Sequence, residues 1–155
     1  MAYTNALPAI AISTLALQAQ TALRLGHVTA SDTVLSTIDA RINEVYYAIF
    51  RFEEGLAVML EGPFACAPAA VTAGADRERL QAVGSGCRFA EAFPAQLRLR
   101  LQGLHPDLLP AAQDLLPLAL AAYARGEIQQ PQQVQPLYVR DEISWKKLAD
   151  QGKAV

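Results

Sequence analysis

The sequence has little charge, few cysteines and no long apolar run. Charged residues make up 18% of its 155 positions and the formal net charge is −2, so no basic field is available to hold a nucleic acid. No segment reaches the roughly 18 uninterrupted apolar residues of a membrane-spanning helix, and the N-terminus lacks the basic stretch of a signal peptide. Cys66 and Cys87 are too few for a disulfide framework, so we interpret both as reduced thiols. We therefore expect a cytoplasmic protein that contacts neither a membrane nor a nucleic acid directly.

What the sequence does contain is apolar material for one core, at 52% hydrophobic residues. The run from Ala9 to Ile12 predicts a short strand, and Ser13 or Thr14 can cap a helix that Gly26 ends in a left-handed conformation. A strand followed directly by a capped helix is typical of an α/β sheet.

Three β-rich segments follow, with the sequences TVLSTID, EVYYAIFRF and GLAVMLEGPF. The joints at residues 39–43 and 53–55 are short enough for hairpin turns, so these segments predict an antiparallel meander. Successive residues of a strand point to opposite faces of the sheet, and in the second segment the side chains on both faces are mainly apolar. We therefore predict that both faces of the sheet are covered. Asp39 is expected to pair locally with Arg41 or Glu44.

The second half of the chain is less regular. We predict a short helix between Pro68 and Arg79, a brief strand in LQAVGSG that enters a glycine turn, and a loop with a turn or two of helix from Phe93 to Pro110. The stretch DLLPLALAAYARG predicts a helix capped by Asp114, with a proline in its first turn. A Gln/Pro linker leads from there to the C-terminal tail.

Candidate sites are sparse. His27 and His105 have no further ligand at metal-binding spacing, and we interpret them as surface or loop residues. Cys87 and His105 could in principle form a nucleophile–base pair, but the sequence shows no third residue to orient the histidine and no supporting motif. The sequence therefore offers no catalytic residue and no metal site.

The glycine turn VGSG is the remaining candidate, because a strand that runs into glycines lets backbone amides approach a phosphate or nucleoside closely. The residues concerned are Gly84, Ser85 and Gly86. The same pattern also fits a plain strand-to-helix turn, and the lysine of a P-loop is absent.

The C-terminal tail differs from the rest of the chain. It combines paired acids and paired lysines with Tyr138 and Trp145, together with Leu137, Val139 and Ile143. Apolar and aromatic side chains of this kind are unfavourable in water, so we expect the tail to dock on a surface.

Three stretches together resemble the second half of the bacterial TsaB family, also called YeaZ. They are ISTLALQAQ, IDARINEVYYA and PLYVRDEISWKK, and AQDLLPLALAAYARGE fits the helix before the tail of that family. The resemblance implies an RNase H-like lobe of the actin/Hsp70-type (ASKHA) ATPase architecture, with a mixed sheet, an antiparallel meander and flanking helices. It also implies a non-catalytic role in making N6-threonylcarbamoyladenosine on tRNA, as a partner of TsaD and TsaE.

The resemblance also implies features that this sequence lacks. A family member begins with a lobe that carries an Asp-Thr-Ser-type phosphate loop, so we expect residues 1–126 to form a C-terminal lobe without its N-terminal lobe, and 127–155 a linker and tail. ATP or ADP binding, at Gly84, Ser85 and Gly86, is then expected only with that lobe present. Surface left uncovered should make the chain self-associate as a homodimer or strand-exchanged assembly.

Two other functions fit the sequence. One is a glycoprotease-like hydrolase or peptidase that works without a metal, although the HxxxH motif of TsaD is missing. The other is a standalone nucleotide-binding module.

Overall fold

The protein folds around one five-stranded mixed sheet. The computed structural model describes residues 4–5, 7–74 and 79–139. The helices and strands are, in chain order, α1 (Thr14–Arg24), β1 (Thr33–Arg41), β2 (Glu44–Glu53), β3 (Leu56–Cys66), β4 (Leu80–Val83), α2 (Ala95–Arg98), β5 (Leu101–His105) and α3 (Leu115–Ala124). Short 3-10 helices cover Pro68–Ala70, Ser85–Ala92, Ala112–Asp114 and Pro131–Gln133.

The strand order is β3-β2-β1-β4-β5. Strands β1, β2 and β3 pair antiparallel, whereas β4 pairs parallel with both β1 and β5. The predicted meander and mixed sheet are therefore confirmed. Parallel pairing needs crossover connections, and the segment from β4 to β5 supplies one through the 3-10 helix Ser85–Ala92 and α2.

Both faces of the sheet are covered, as the apolar pattern of β2 predicts. Tyr47 and Ile49 pack on one side, in a cluster with Phe93 and Leu97 from the crossover between β4 and β5. Phe50 packs on the opposite side, in a cluster that α1 completes with Leu15, Ala19 and Ala22. The α1 helix thus covers one face, and the β4–β5 crossover covers the other.

The two hairpin turns use left-handed backbone conformations. Glu54 and Gly55 have φ values of 51° and 79°, as a two-residue turn between twisted strands requires. In the first turn the Asp39 carboxylate accepts a hydrogen bond of 2.8 Å from the backbone N–H of Arg41. The predicted local pairing of Asp39 thus involves the Arg41 backbone.

Three predictions of secondary structure are wrong. Residues 9–12 form no strand, since only Ala9 makes an isolated bridge, to Gln129. The predicted helix between Pro68 and Arg79 is a single 3-10 turn in its described part, and residues 75–78 lie outside the described ranges. The predicted loop from Phe93 to Pro110 contains α2 but also the strand β5.

The helix ends are placed as predicted but are bonded differently. Ser13 occupies the N-cap position of α1 and Asp114 that of α3, yet neither side chain makes a capping hydrogen bond. Gly26 follows α1 with a φ of 73°, which confirms its predicted role as a helix stop, and Gly126 ends α3 in the same way with a φ of 76°.

The tail is described only as far as Val139. Leu137 and Tyr138 are 71% and 80% exposed, so neither docks on the described part of the chain. Ile143 and Trp145 lie outside the described residues. Among the helices within the described ranges, none is long and apolar enough to cross a membrane.

Candidate functional site

The glycine turn lies where β4 ends, beside the last residues of β1. Gly84 has a φ of 95° and donates its N–H to the carbonyl of His105 at 3.0 Å. Ser85 then begins a 3-10 helix, and its hydroxyl accepts a hydrogen bond of 3.1 Å from the backbone N–H of Asp39. The turn is thus joined to both neighbouring parallel strands. The carboxyl ends of parallel strands are the usual place for a ligand in an open α/β sheet.

The two glycines are required by the protein's own packing. A Cβ atom added to Gly84 would lie 2.0 Å from Nε2 of Gln18 and 2.3 Å from the carbonyl oxygen of Thr37. A Cβ atom on Gly86 would lie 2.2 Å from Oγ1 of Thr37. Any larger residue would therefore collide with Gln18 or Thr37. The contact of Gly84, Ser85 and Gly86 with a nucleotide stays a prediction.

Gln18 joins α1 to the strands that carry the turn. Its side chain is buried, and its amide nitrogen donates to Oγ of Ser36 at 3.0 Å, the carbonyl of Thr37 at 3.3 Å and the carbonyl of Val83 at 2.9 Å. Sequence analysis missed this residue. A signal existed, because Gln18 lies between Leu15 and Ala22 on the buried face of α1, where a polar side chain needs internal partners.

Thr37 is fully buried beneath the turn. Its backbone carbonyl accepts from Gln18, whereas its Oγ1 has no hydrogen-bond partner among the described residues. An unsatisfied buried hydroxyl is uncommon in native proteins and usually has a packing or functional reason.

His27 and His105 are 78 positions apart in number but their rings meet, with centroids 4.7 Å apart. They line a groove of about 430 Å³ together with Leu25, Leu104 and Leu108, among others. Burial, followed by the nearby His27, lowers the pKa of His105. The prediction of a surface or loop residue is confirmed for His27, which is exposed in the bend after α1, whereas His105 is partly buried at the end of β5. The fold brings the two rings into contact, which the sequence did not indicate.

The Cys87 thiol is unsuited to nucleophilic chemistry. Its side chain is buried, and burial raises its pKa to about 12 in spite of a hydrogen bond from the backbone of His105. A reactive cysteine instead needs a lowered pKa and access to substrate. Within residues 4–5, 7–74 and 79–139, no three His, Cys, Asp or Glu side chains come together as a metal site.

Asp114 has a different role from the predicted cap. Its buried carboxylate accepts hydrogen bonds from Arg24 at 2.6 and 3.1 Å and from the Thr21 hydroxyl at 2.8 Å. The hydrogen bond from Arg24 is the main reason that the pKa of Asp114 lies below its usual value. The ion pair fixes the N-terminus of α3 against α1.

The sheet order and its coverage define the class of the protein. An antiparallel meander continued by two parallel strands, with helices on both faces, is an α/β fold of the RNase H-like type.

Comparison with known proteins then gives the relatives. The chain is 35% identical over 150 residues to the Escherichia coli tRNA threonylcarbamoyladenosine biosynthesis protein TsaB. The match covers 92% of this chain and 61% of the E. coli protein. It is 28% identical over 162 aligned residues to the Haemophilus influenzae protein of the same name, covering 96% and 63%. No family model matches the chain.

Solved structures agree with these relatives. YeaZ from Pseudomonas aeruginosa superimposes with a TM-score of 0.79 at 33% identity, covering 88% of this chain and 61% of that chain. A structure described as an uncharacterized protein with similarity to peptidase YEAZ from Pseudomonas aeruginosa gives the same TM-score and identity, over 90% and 62%. The resemblance to the TsaB family is confirmed, and the chain spans less than two thirds of the length of these relatives.

Proposed function

We propose that this chain is a component of the machinery that makes N6-threonylcarbamoyladenosine on tRNA, with TsaD-like and TsaE-like proteins as its partners. The observation that carries the proposal is the match to TsaB from E. coli, at 35% identity across 92% of the chain. The matching fold of YeaZ, with a TM-score of 0.79, supports it independently.

The proposed role is non-catalytic. The Cys87 thiol is buried and has a pKa raised to about 12, so it is not poised as a nucleophile at neutral pH. The buried carboxylate of Asp114 is fully engaged by Arg24 and Thr21. These groups hold the fold together, which suits a protein that acts by binding a catalytic partner.

The proposal is tested by nucleoside analysis. Bacteria depleted of their own TsaB would express this chain, and the modified adenosine in their tRNA would be measured by mass spectrometry. We expect the modification to rise above that of cells with an empty vector, and TsaD to co-purify with the chain. A Gly86→Val variant is the negative control, since Thr37 leaves no room for the new side chain. No rise in modification together with no co-purification would contradict the proposal.

A peptidase is the second candidate, because one structural neighbour is described by its similarity to peptidase YEAZ. Such an activity would have to depend on Cys87 and survive chelators. We expect no peptide hydrolysis, because the thiol is shielded from substrate as well as protonated. Hydrolysis that is lost on Cys87→Ala substitution would favour the peptidase over the non-catalytic role.

We further propose that the chain alone binds ATP and ADP poorly. Gln18 and Thr37 fill the positions that Cβ atoms on Gly84 and Gly86 would occupy. A ligand could therefore reach the turn only through the backbone on its opposite side. Calorimetry with ATP and ADP at millimolar concentration is expected to show no binding heat. A saturable binding heat would instead support a standalone nucleotide-binding module.

A further inference from the structure

Two histidines that are far apart in the sequence meet in the fold. His27 lies in the bend after α1, where its backbone N–H donates to the carbonyl of Ala22 at 3.0 Å. His105 is the last residue of β5, and its carbonyl accepts from the N–H of Gly84 at 3.0 Å. Hydrogen bonds thus hold both backbones in place. Since the 155 residues include only these two histidines, any imidazole chemistry of the chain belongs to this pair.

The distance between the two rings suits the binding of one metal ion. Their centroids are 4.7 Å apart and their planes are tilted by 51°. Imidazole nitrogens lie about 2.0–2.1 Å from a bound Zn²⁺, and two rings in adjacent coordination positions then have centroids roughly 4.5–5 Å apart. Because His27 is exposed, its side chain can turn a ring nitrogen toward the ion without disturbing the core. The fold therefore brings two ligands to the separation that a shared ion requires.

The ring nitrogens of both histidines are available to a ligand. Within the ranges that the structure describes, neither imidazole makes a hydrogen bond to another group. Metal ions bind the neutral form of imidazole, and burial, followed by the nearby His27, lowers the pKa of His105. His105 is therefore neutral at neutral pH, and no internal hydrogen bond has to be broken when an ion binds.

The pair lies in a groove of about 430 Å³ whose walls are otherwise mainly apolar and include Leu25, Leu104 and Pro106. Asp107 also lines the groove, but its exposed carboxylate pairs with Arg88 at 2.9 Å. Among the described residues, no third His, Cys, Asp or Glu joins the two histidines as a ligand. An ion held there would therefore keep water in its remaining coordination positions and would exchange with the solution.

We propose that His27 and His105 together bind one exchangeable divalent transition-metal ion, which ties the end of α1 to the end of β5. Imidazole suits Cu²⁺, Ni²⁺ and Zn²⁺, of which Cu²⁺ binds most tightly, whereas Mg²⁺ and Ca²⁺ prefer oxygen ligands. Such a site goes beyond the proposed function and does not depend on it, because it uses only these two side chains.

The number of ligands predicts a moderate affinity. A structural zinc site uses four protein ligands, and this pair supplies half of them. Roughly half the binding free energy of a structural site corresponds to a dissociation constant on the order of 10 µM. The ion should therefore be lost on dilution or on addition of a chelator, while the fold remains.

Calorimetric titration of the whole, untagged chain with nickel chloride tests the proposal, because Ni²⁺ binds imidazole without oxidising thiols. We expect one ion per chain, and both His27→Gln and His105→Gln to weaken binding at least tenfold. Cys66→Ser is the matched control, since Cys66 is the more accessible of the two thiols, and it should leave the affinity unchanged. Magnesium chloride should give no saturable heat.

Circular dichroism checks that each variant folds, and the exposed side chain of His27 makes His27→Gln the safer of the two. An absence of saturable Ni²⁺ binding would overturn the proposal. Binding that survived both histidine substitutions, or that disappeared on Cys66→Ser, would overturn it as well, because the ion would then lie elsewhere.

The position of the ion gives an independent readout by NMR. Paramagnetic Cu²⁺, added below one equivalent to the Cys66→Ser chain, should first broaden the amide signals of residues 25–28 and 104–108. The signals of β3, at the opposite edge of the sheet, should stay sharp. His27→Gln should remove this selective broadening. Broadening centred on another part of the chain would contradict the two-histidine site, even if calorimetry had shown binding.

Discussion

Replacing Gln18 with methionine tests the polar link that holds the glycine turn. The substitution keeps the length of the side chain but removes the amide that donates to Ser36, Thr37 and Val83 at 3.0, 3.3 and 2.9 Å. Since Gln18 is only 2% exposed, water cannot replace these bonds. A buried acceptor left without its donor costs about 1–3 kcal/mol. The two shorter bonds therefore predict a loss of about 2–4 kcal/mol in the free energy of unfolding.

Urea denaturation followed by circular dichroism measures this loss. With an m-value of ~2 kcal/mol/M, the expected change moves the midpoint by about 1–2 M. Gln96→Met is the matched control, since Gln96 is exposed on α2, and it should change stability by less than ~0.5 kcal/mol. Gln18→Glu should be at least as damaging as Gln18→Met at neutral pH, because a buried carboxylate would face the carbonyl oxygens of Thr37 and Val83. If Gln18→Met behaved like the control, the amide would not hold the turn and our reasoning would be refuted.

Three further predictions concern Asp114, His105 and Gly86. Asp114→Asn should lower stability by about 2 kcal/mol at neutral pH through loss of a charge-assisted hydrogen bond. Because the folded pKa of Asp114 is lowered, the difference should begin to shrink as pH falls below ~4 and vanish only below the folded pKa, which urea titrations at several pH values would show. His27→Gln should raise the pKa of His105 without restoring it fully, because burial is the larger cause, and an unchanged NMR titration of His105 in this variant would contradict this. Because the folded pKa of His105 is lowered, the free energy of unfolding of the unsubstituted protein should also fall as pH drops below ~6.5. Gly86→Ala should cost about 1–3 kcal/mol through overpacking, and added Thr37→Ala should recover part of the loss, which a double-mutant cycle measures.

The parts of the fold predicted from sequence are those that local patterns determine. The alternation of aromatic and branched side chains in β2 has no other simple explanation than a strand covered on both faces. Strand β5 could not be found in this way, because LQGLH contains no β-branched residue and has glycine in its centre. Its identity as a strand comes from pairing with β4, which is a tertiary contact.

The candidate site was predicted only in outline. The position of the glycine turn followed from the sequence, but the reason for Gly84 and Gly86 lies in Gln18 and Thr37, which approach from distant positions. Likewise, Asp114 was assigned to the correct helix end, yet its bonding partner Arg24 is 90 residues away. Contacts between residues so far apart leave no local pattern in the sequence.

The bond between Arg24 and Asp114 has a consequence for synthesis of the chain on the ribosome. Helix α1 leaves the ribosome well before α3, because the carboxylate that anchors its last turn is made 90 residues later. Closing so long a loop carries an entropic penalty that only a chain extending to α3 can offset. Nascent chains that stop before α3 should therefore remain protease-sensitive around α1, and this part of the protein should complete its folding only after α3 has been made.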